Sequence, residues 1–203
     1  MGDAFLALGD SYTIGEGVAP AERWPARLAA RLRGEGGTID DPRIIAVTGW
    51  TSAGLAAAMD AATFDPPYAL VTLSIGVNNQ YRGRPLDEYR GQFRALLQRT
   101  VMLAGGHPAH VVVVSIPDWG GTPFAAREGR DAARIAREID AFNAAAQAEV
   151  AAAGARWVDV TTISRAPGSH GELAGDGLHP SGAQYAHWVE AILPAARAAL
   201  RVA

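Results

Sequence analysis

The 203-residue chain is 49% hydrophobic, the length of one compact domain that buries roughly 70% of the surface its unfolded form exposes, which excludes disorder. Eighteen Lys and Arg residues against 21 Asp and Glu leave a net charge of −3, and no stretch gathers the basic residues into a phosphate-binding face, so nucleic acid is not the expected partner. Cysteine is absent, which removes disulfides, iron–sulfur clusters, thiolate zinc sites and a cysteine nucleophile together.

In chain order, short apolar runs alternate with longer amphipathic ones, without a repeat or a low-complexity linker. Ala4-Phe5-Leu6-Ala7-Leu8, closed by Gly9, predicts the first strand. From Glu22 to Arg33 the apolar Trp24, Leu28 and Leu32 recur every four residues, with Pro25 suited to a first helical turn and Gly34 to its end. Arg43 to Val47 predicts a second strand, Ser52 to Ala62 a helix, Ala69 to Ile75 a third strand and Val111 to Ile116 a fourth. A helical pattern from about Arg127 to Ala153 carries Ile135, Ile139, Phe142 and Ala146 on one side, Trp157 to Val160 predicts a fifth strand, and Ser181 to Leu200 a closing helix. Strands this continuously apolar suit a parallel sheet covered on both faces, so the expected fold is a three-layer α/β/α sandwich around a five-stranded parallel sheet, a single domain over 1–203. No apolar run approaches the ~18 residues of a membrane span. Met1-Gly2-Asp3 opens on a carboxylate where a secretory signal carries positive charge, so the cytoplasm is the default location.

Ligands of such sheets bind outside the carboxyl ends of the strands, so polar residues just after each strand are the places to search. After the first strand, Gly9-Asp10-Ser11-Tyr12-Thr13-Ile14-Gly15-Glu16-Gly17 presents Ser11 at the rim, where a serine serves as a helix cap or as a nucleophile. The glycines match neither a dinucleotide fingerprint nor a phosphate loop. A nucleophilic serine needs a base and the base an orienting carboxylate. Of the five histidines only His179 has an aspartate three residues earlier, Asp176, a spacing that within one turn lets both side chains face the same way. A structural turn with a buried hydrogen bond would use the same pair. His107 and His110 flank Pro108 in a loop, His170 sits among glycines, and His187 lies on the last helix, all suited to ordinary polar positions. Acyl transfer builds charge on the carbonyl oxygen and calls for preorganised donors. Gly49 after the second strand and Asn78 after the third supply a close backbone N–H and a side-chain amide, although each singly also suits a turn.

These blocks resemble the SGNH, or GDSL-type, hydrolase superfamily. Its Gly-Asp-Ser matches Gly9-Asp10-Ser11, its second-block glycine Gly49, its Gly-x-Asn Gly76-Val77-Asn78, and its terminal Asp-x-x-His Asp176 to His179, in the family's order. The resemblance implies a flavodoxin-like fold with Ser11 as nucleophile, His179 as base and Asp176 as its partner. It implies an oxyanion hole made by the N–H groups of Ser11 and Gly49 and the Asn78 amide. Tyr12 stands in place of the family's leucine, and Asn79 where many relatives carry aspartate.

The expected activity is that of a serine esterase acting on small or carbohydrate-borne acyl esters through an acyl-serine, with a small-molecule ester as partner and neither metal nor cofactor. Its rivals are an acyltransferase or thioesterase using the same residues, and a non-catalytic binding module that kept the fold. Trp50, Gln80, Tyr81, Arg82, Trp119 and Phe124 are the candidate walls of the substrate pocket, positions equally suited to packing of one loop against the next.

Overall fold

The computed structural model describes residues 2–201. Five strands, β1 (Phe5–Gly9), β2 (Arg43–Ala46), β3 (Leu70–Ser74), β4 (Val111–Val114) and β5 (Arg156–Val158), pair in parallel in the order β2-β1-β3-β4-β5. Every residue of β1, β3 and β4 is buried, as their apolar sequences require; the edge strands β2 and β5 are partly covered. The strands connect through α1 (Ser11–Ile14), α2 (Trp24–Gly34), α3 (Ser52–Ala61), α4 (Val77–Tyr81), α5 (Leu86–Leu103), α6 (Pro123–Arg127), α7 (Ala132–Ala153), α8 (Thr161–Ser164) and α9 (Gly182–Leu200).

The sheet grows from β1 to β2 in one direction and then from β3 to β5 in the other. Right-handed crossovers therefore place α2 and α3 on opposite faces. On one face α2 packs against α9, around the fully buried Trp24, Tyr185 and Trp188. On the other α5 packs against α7 and α3, with the Tyr89 and Phe142 rings stacked at 4.7 Å. Reversal of direction at β1/β3 opens a crevice at their carboxyl ends, the position where doubly wound sheets bind ligands.

Two helical expectations change. Between β3 and β4 the structure adds α5, where no element is expected from the sequence. Its buried Tyr89, Phe93, Leu96, Leu97 and Thr100 are spaced at a helical period. The single helix expected from about Arg127 divides into α6 and α7, because Asp131 starts a new helix by accepting the N–H groups of Ala133 and Arg134. Glu149 of α7 fastens the two long helices. Buried itself, it accepts from Arg90 at 2.6 Å and from Arg94 at 2.7 and 2.9 Å, and these guanidinium hydrogen bonds bring its carboxyl down to about 2.

Candidate active site

The rim of the β1/β3 crevice starts at Asp10. Its Oδ1 accepts the Tyr12 N–H at 3.1 Å, so Asp10, not Ser11, caps α1. Burial raises the Asp10 carboxyl to about 7, against the backbone N–H groups of Tyr12 and Gly76 that favour its charged form. Ser11 follows as the first residue of α1 and is 4% exposed.

Opposite it, the loop after β2 is held by side chains from α4 and its C-terminal end. Arg82 donates to the Gly49 carbonyl at 2.7 Å and Asn78 Nδ2 to the Trp50 carbonyl at 3.0 Å. Asn79 Oδ1 accepts the Ser52 N–H at 2.9 Å while its Nδ2 donates to Ser52 Oγ at 2.8 Å. Thr48 adds a hydrogen bond to Glu16. Gly49 has φ +86, a conformation that side chains resist. Gly76, which opens α4, has φ +132, and a Cβ there would come within 2.9 Å of Tyr89 and Ile116. Close packing of the α4 turn on the core therefore sets where Asn78 stands. One N–H of its amide is engaged by Trp50, and the other remains to be directed elsewhere.

After β5 the chain returns through a loop tied to Arg127, which donates to the Asp176 carbonyl at 2.7 Å. Asp176 Oδ2 lies 2.6 Å from His179 Nδ1, and its Oδ1 accepts the N–H groups of Leu178 at 2.8 Å and His179 at 3.0 Å. Burial works to raise this carboxyl, but the imidazole and the two backbone donors outweigh it, leaving Asp176 below the ordinary aspartate value. With Nδ1 engaged by the carboxylate, Nε2 is the basic nitrogen. Tyr12 places its ring 5.2 Å from that of His179, centroid to centroid.

Ser11, Tyr12, Thr48, Gly49, Val77, Asn78, Tyr81, Trp119, Phe124, Leu178 and His179 line one cavity of about 180 Å³. The sequence profile of the GDSL-like lipase/acylhydrolase family matches residues 7–187. The chain belongs to this family, whose members hydrolyse ester bonds. Similar solved structures include TesA, 25% identical, at a TM-score of 0.75 over 97% of this chain and 99% of that one. The esterase EstA from Pseudoalteromonas sp., solved inhibited by monoethylphosphonate, is 18% identical, at 0.73 over 96% and 97%. A variant of Axe2, an acetyl xylan esterase from Geobacillus stearothermophilus, is 20% identical, at 0.72 over 96% and 94%. A search of curated proteins finds no match.

The GDSL blocks Ser11, Gly49, Asn78 and His179 thus meet at the cavity, and Asp176 reaches it through His179. Of the expected walls, Tyr81, Trp119 and Phe124 form an aromatic trio, with ring centroids 5.4 to 6.4 Å apart. The other three lie off this cavity. Trp50 folds over Gly54, Gln80 is buried between Trp119 and Glu138, and Arg82 is turned to the Gly49 carbonyl. Gln80 and Arg82 border a neighbouring cavity together with Tyr81. Asn79 faces Ser52. Tyr12, Thr48, Val77 and Leu178 were not among the expected lining residues, and each is the chain neighbour of a block residue. Among the described residues no three His, Asp or Glu side chains gather to hold a metal ion, and no helix is long and apolar enough to cross a membrane.

Proposed function

We propose that the protein is a serine esterase for short acyl groups, small or carbohydrate-borne, working through an acyl-serine. The observation that carries this reading is the single apolar-walled cavity on which Ser11, Gly49, Asn78 and His179 converge, with His179 backed by Asp176 at 2.6 Å. Ser11 Oγ attacks the ester carbonyl carbon and gives its proton to His179 Nε2. The oxyanion so formed takes hydrogen bonds from the N–H groups of Ser11 and Gly49 and from the Asn78 N–H not engaged by Trp50. Collapse breaks the bond to the alcohol oxygen, which leaves with the proton from Nε2. Water then attacks the acyl-serine, its proton passing to Nε2 and on to Ser11 Oγ as the acid departs. Asp176 stays ionised throughout, in keeping with its lowered carboxyl, and steadies the imidazolium.

Cavity size sets the acyl group. About 180 Å³ is of the order of the ~150 Å³ that accepts a benzene and below the roughly 300–1,000 Å³ of drug-sized sites. Tyr81, Trp119, Phe124, Val77 and Leu178 give it an apolar wall. The likeness to an acetyl xylan esterase supports including acetylated sugars among the substrates, and the phosphonate found with EstA suggests the probe. A fluorophosphonate is expected to label Ser11 stoichiometrically. On esters of graded acyl length, acetylated sugars included, activity is expected to fall as the chain outgrows the cavity. Ser11→Ala should lose roughly four or more orders of magnitude in turnover while staying folded. Labelling at another residue, or a fully active alanine variant, would overturn the reading.

A further inference from the structure

Beside the catalytic cavity lies a second one of about 500 Å³, bordered among others by Tyr81, Arg82, Arg130, Asp131, Arg134 and Glu138. Tyr81 is the partition. On one side its ring belongs to the aromatic trio with Trp119 and Phe124, and the Arg130 guanidinium lies over it 4.9 Å from the centroid. Behind it the chain Trp119 Nε1 to Gln80 Oε1 and Gln80 Nε2 to Glu138, both 2.8 Å, fixes the floor.

The charge in this second cavity is unevenly satisfied. Three guanidiniums face two carboxylates, and both carboxylates are engaged. Glu138 binds Arg134 at 2.7 Å and Gln80, hydrogen bonds that hold it below its ordinary value. Asp131 caps α7, where the positive end of the helix offsets its charge. Among the described residues neither Arg82 nor Arg130 has a carboxylate within 4 Å. Arg82 directs one nitrogen to the Gly49 carbonyl and keeps further N–H donors, and Arg130 has only the Tyr81 ring beneath it. All 18 basic residues of the chain are arginine, and a guanidinium presents a planar fork that matches carboxylate and phosphate oxygens.

We propose that this second cavity is the leaving-group subsite of the esterase and that it selects esters whose alcohol carries a carboxylate or a phosphate. The inference rests on the serine-esterase reading: with the acyl group against Trp119 and Phe124, the alcohol passes over Tyr81 and brings its anionic group to Arg130 and Arg82. A neutral alcohol would leave both cations to water.

The test compares two matched pairs of acetate esters. In one pair the alcohol is 3-hydroxypropanoate or its neutral amide; in the other it is glycerol phosphate or glycerol. The charged member of at least one pair is expected to show roughly tenfold or more higher kcat/KM, mainly through a lower KM, and the favoured pair distinguishes carboxylate from phosphate. Arg130→Gln should bring that ratio close to one, Arg130→Lys should keep part of it, and raising ionic strength on the unaltered enzyme should shrink it. Equal kcat/KM for charged and neutral members in both pairs would overturn the proposal. So would a preference that survives both Arg130→Gln and high salt. Failure of all four esters, together with an unlabelled Ser11, would instead overturn the esterase reading beneath it.

Discussion

Asn78 shows how much one side chain carries. It follows Gly76 on a turn whose backbone is packed against Tyr89 and Ile116, and one of its two amide hydrogens is fixed on the Trp50 carbonyl. The amide is thereby oriented before substrate arrives, the condition under which an oxyanion donor is effective. Asn78→Ala is expected to lower kcat on a neutral acetate ester by roughly 10²–10³ with a much smaller change in KM, because the bond tightens as charge develops. Unchanged kcat in steady-state kinetics would assign Asn78 to holding Trp50 alone. At this scale the convergence of Ser11, Gly49, Asn78 and His179 on one cavity, with Asp176 on His179, was legible, since these residues sit in short motifs after successive strands. The walls were only half legible. Tyr81, Trp119 and Phe124 reach the cavity but Trp50, Gln80 and Arg82 do not, because the direction of a side chain at the rim depends on partners far along the chain, such as Glu138 for Gln80.

Among the elements, α4 and its end act as a clamp on the loop after β2. Asn78, Asn79 and Arg82 meet the Trp50 carbonyl, Ser52 and the Gly49 carbonyl in turn. Arg82 is exposed, lies off the cavity that Gly49 lines, and holds by its carbonyl a glycine that has φ +86, so under the proposed mechanism it positions the Gly49 N–H. Arg82→Ala is expected to reduce kcat on a neutral ester by about tenfold, the size of one charge-assisted hydrogen bond, leaving KM nearly unchanged. Arg82→Lys, or guanidinium added to Arg82→Ala, should restore part of kcat, which general loosening of the fold would not permit. On the same neutral ester, which offers the second cavity no anionic group, a large rise in KM at constant kcat would mean that Arg82 does not act through Gly49. No local motif announces this clamp, because its hydrogen bonds join residues 27 to 33 positions apart. By contrast, α5 was available in the 89-93-96-97-100 spacing of its buried residues. The break before α7 was available in Asp131, a capping residue inside a helical pattern.

For the whole molecule, the sheet order is not written in any one strand; the wholly buried β1, β3 and β4 form the interior of the sheet and the partly covered β2 and β5 its edges. Reversal at β1/β3 brings Ser11 and Asn78 to one crevice from positions 67 residues apart, and it also buries Asp10 beneath them. That carboxyl is 2% exposed, and burial raises it from 3.8 to about 7. Between these values the folded chain holds a proton that the unfolded chain has released, so stability falls as pH rises across the window and stays lower above about pH 7. The full shift corresponds to about 4 kcal/mol as an upper bound. Glu149 works in the opposite sense. Its carboxyl lies at about 2 instead of 4.5, so its contribution is complete above 4.5 and is lost as pH falls toward 2. Asp10→Asn keeps an acceptor for the Tyr12 N–H and removes the charge. In urea unfolding it is expected to match the unaltered chain near pH 4, where Asp10 is protonated in the fold, and to exceed it in stability at pH 8. Glu149→Gln should lose stability at pH 8, and the loss should shrink toward pH 2. An Asp10→Asn midpoint displaced equally at pH 4 and pH 8 would mean that the Asp10 carboxylate is no costlier in the fold than in the open chain, and that the acid beside Ser11 titrates as an ordinary aspartate.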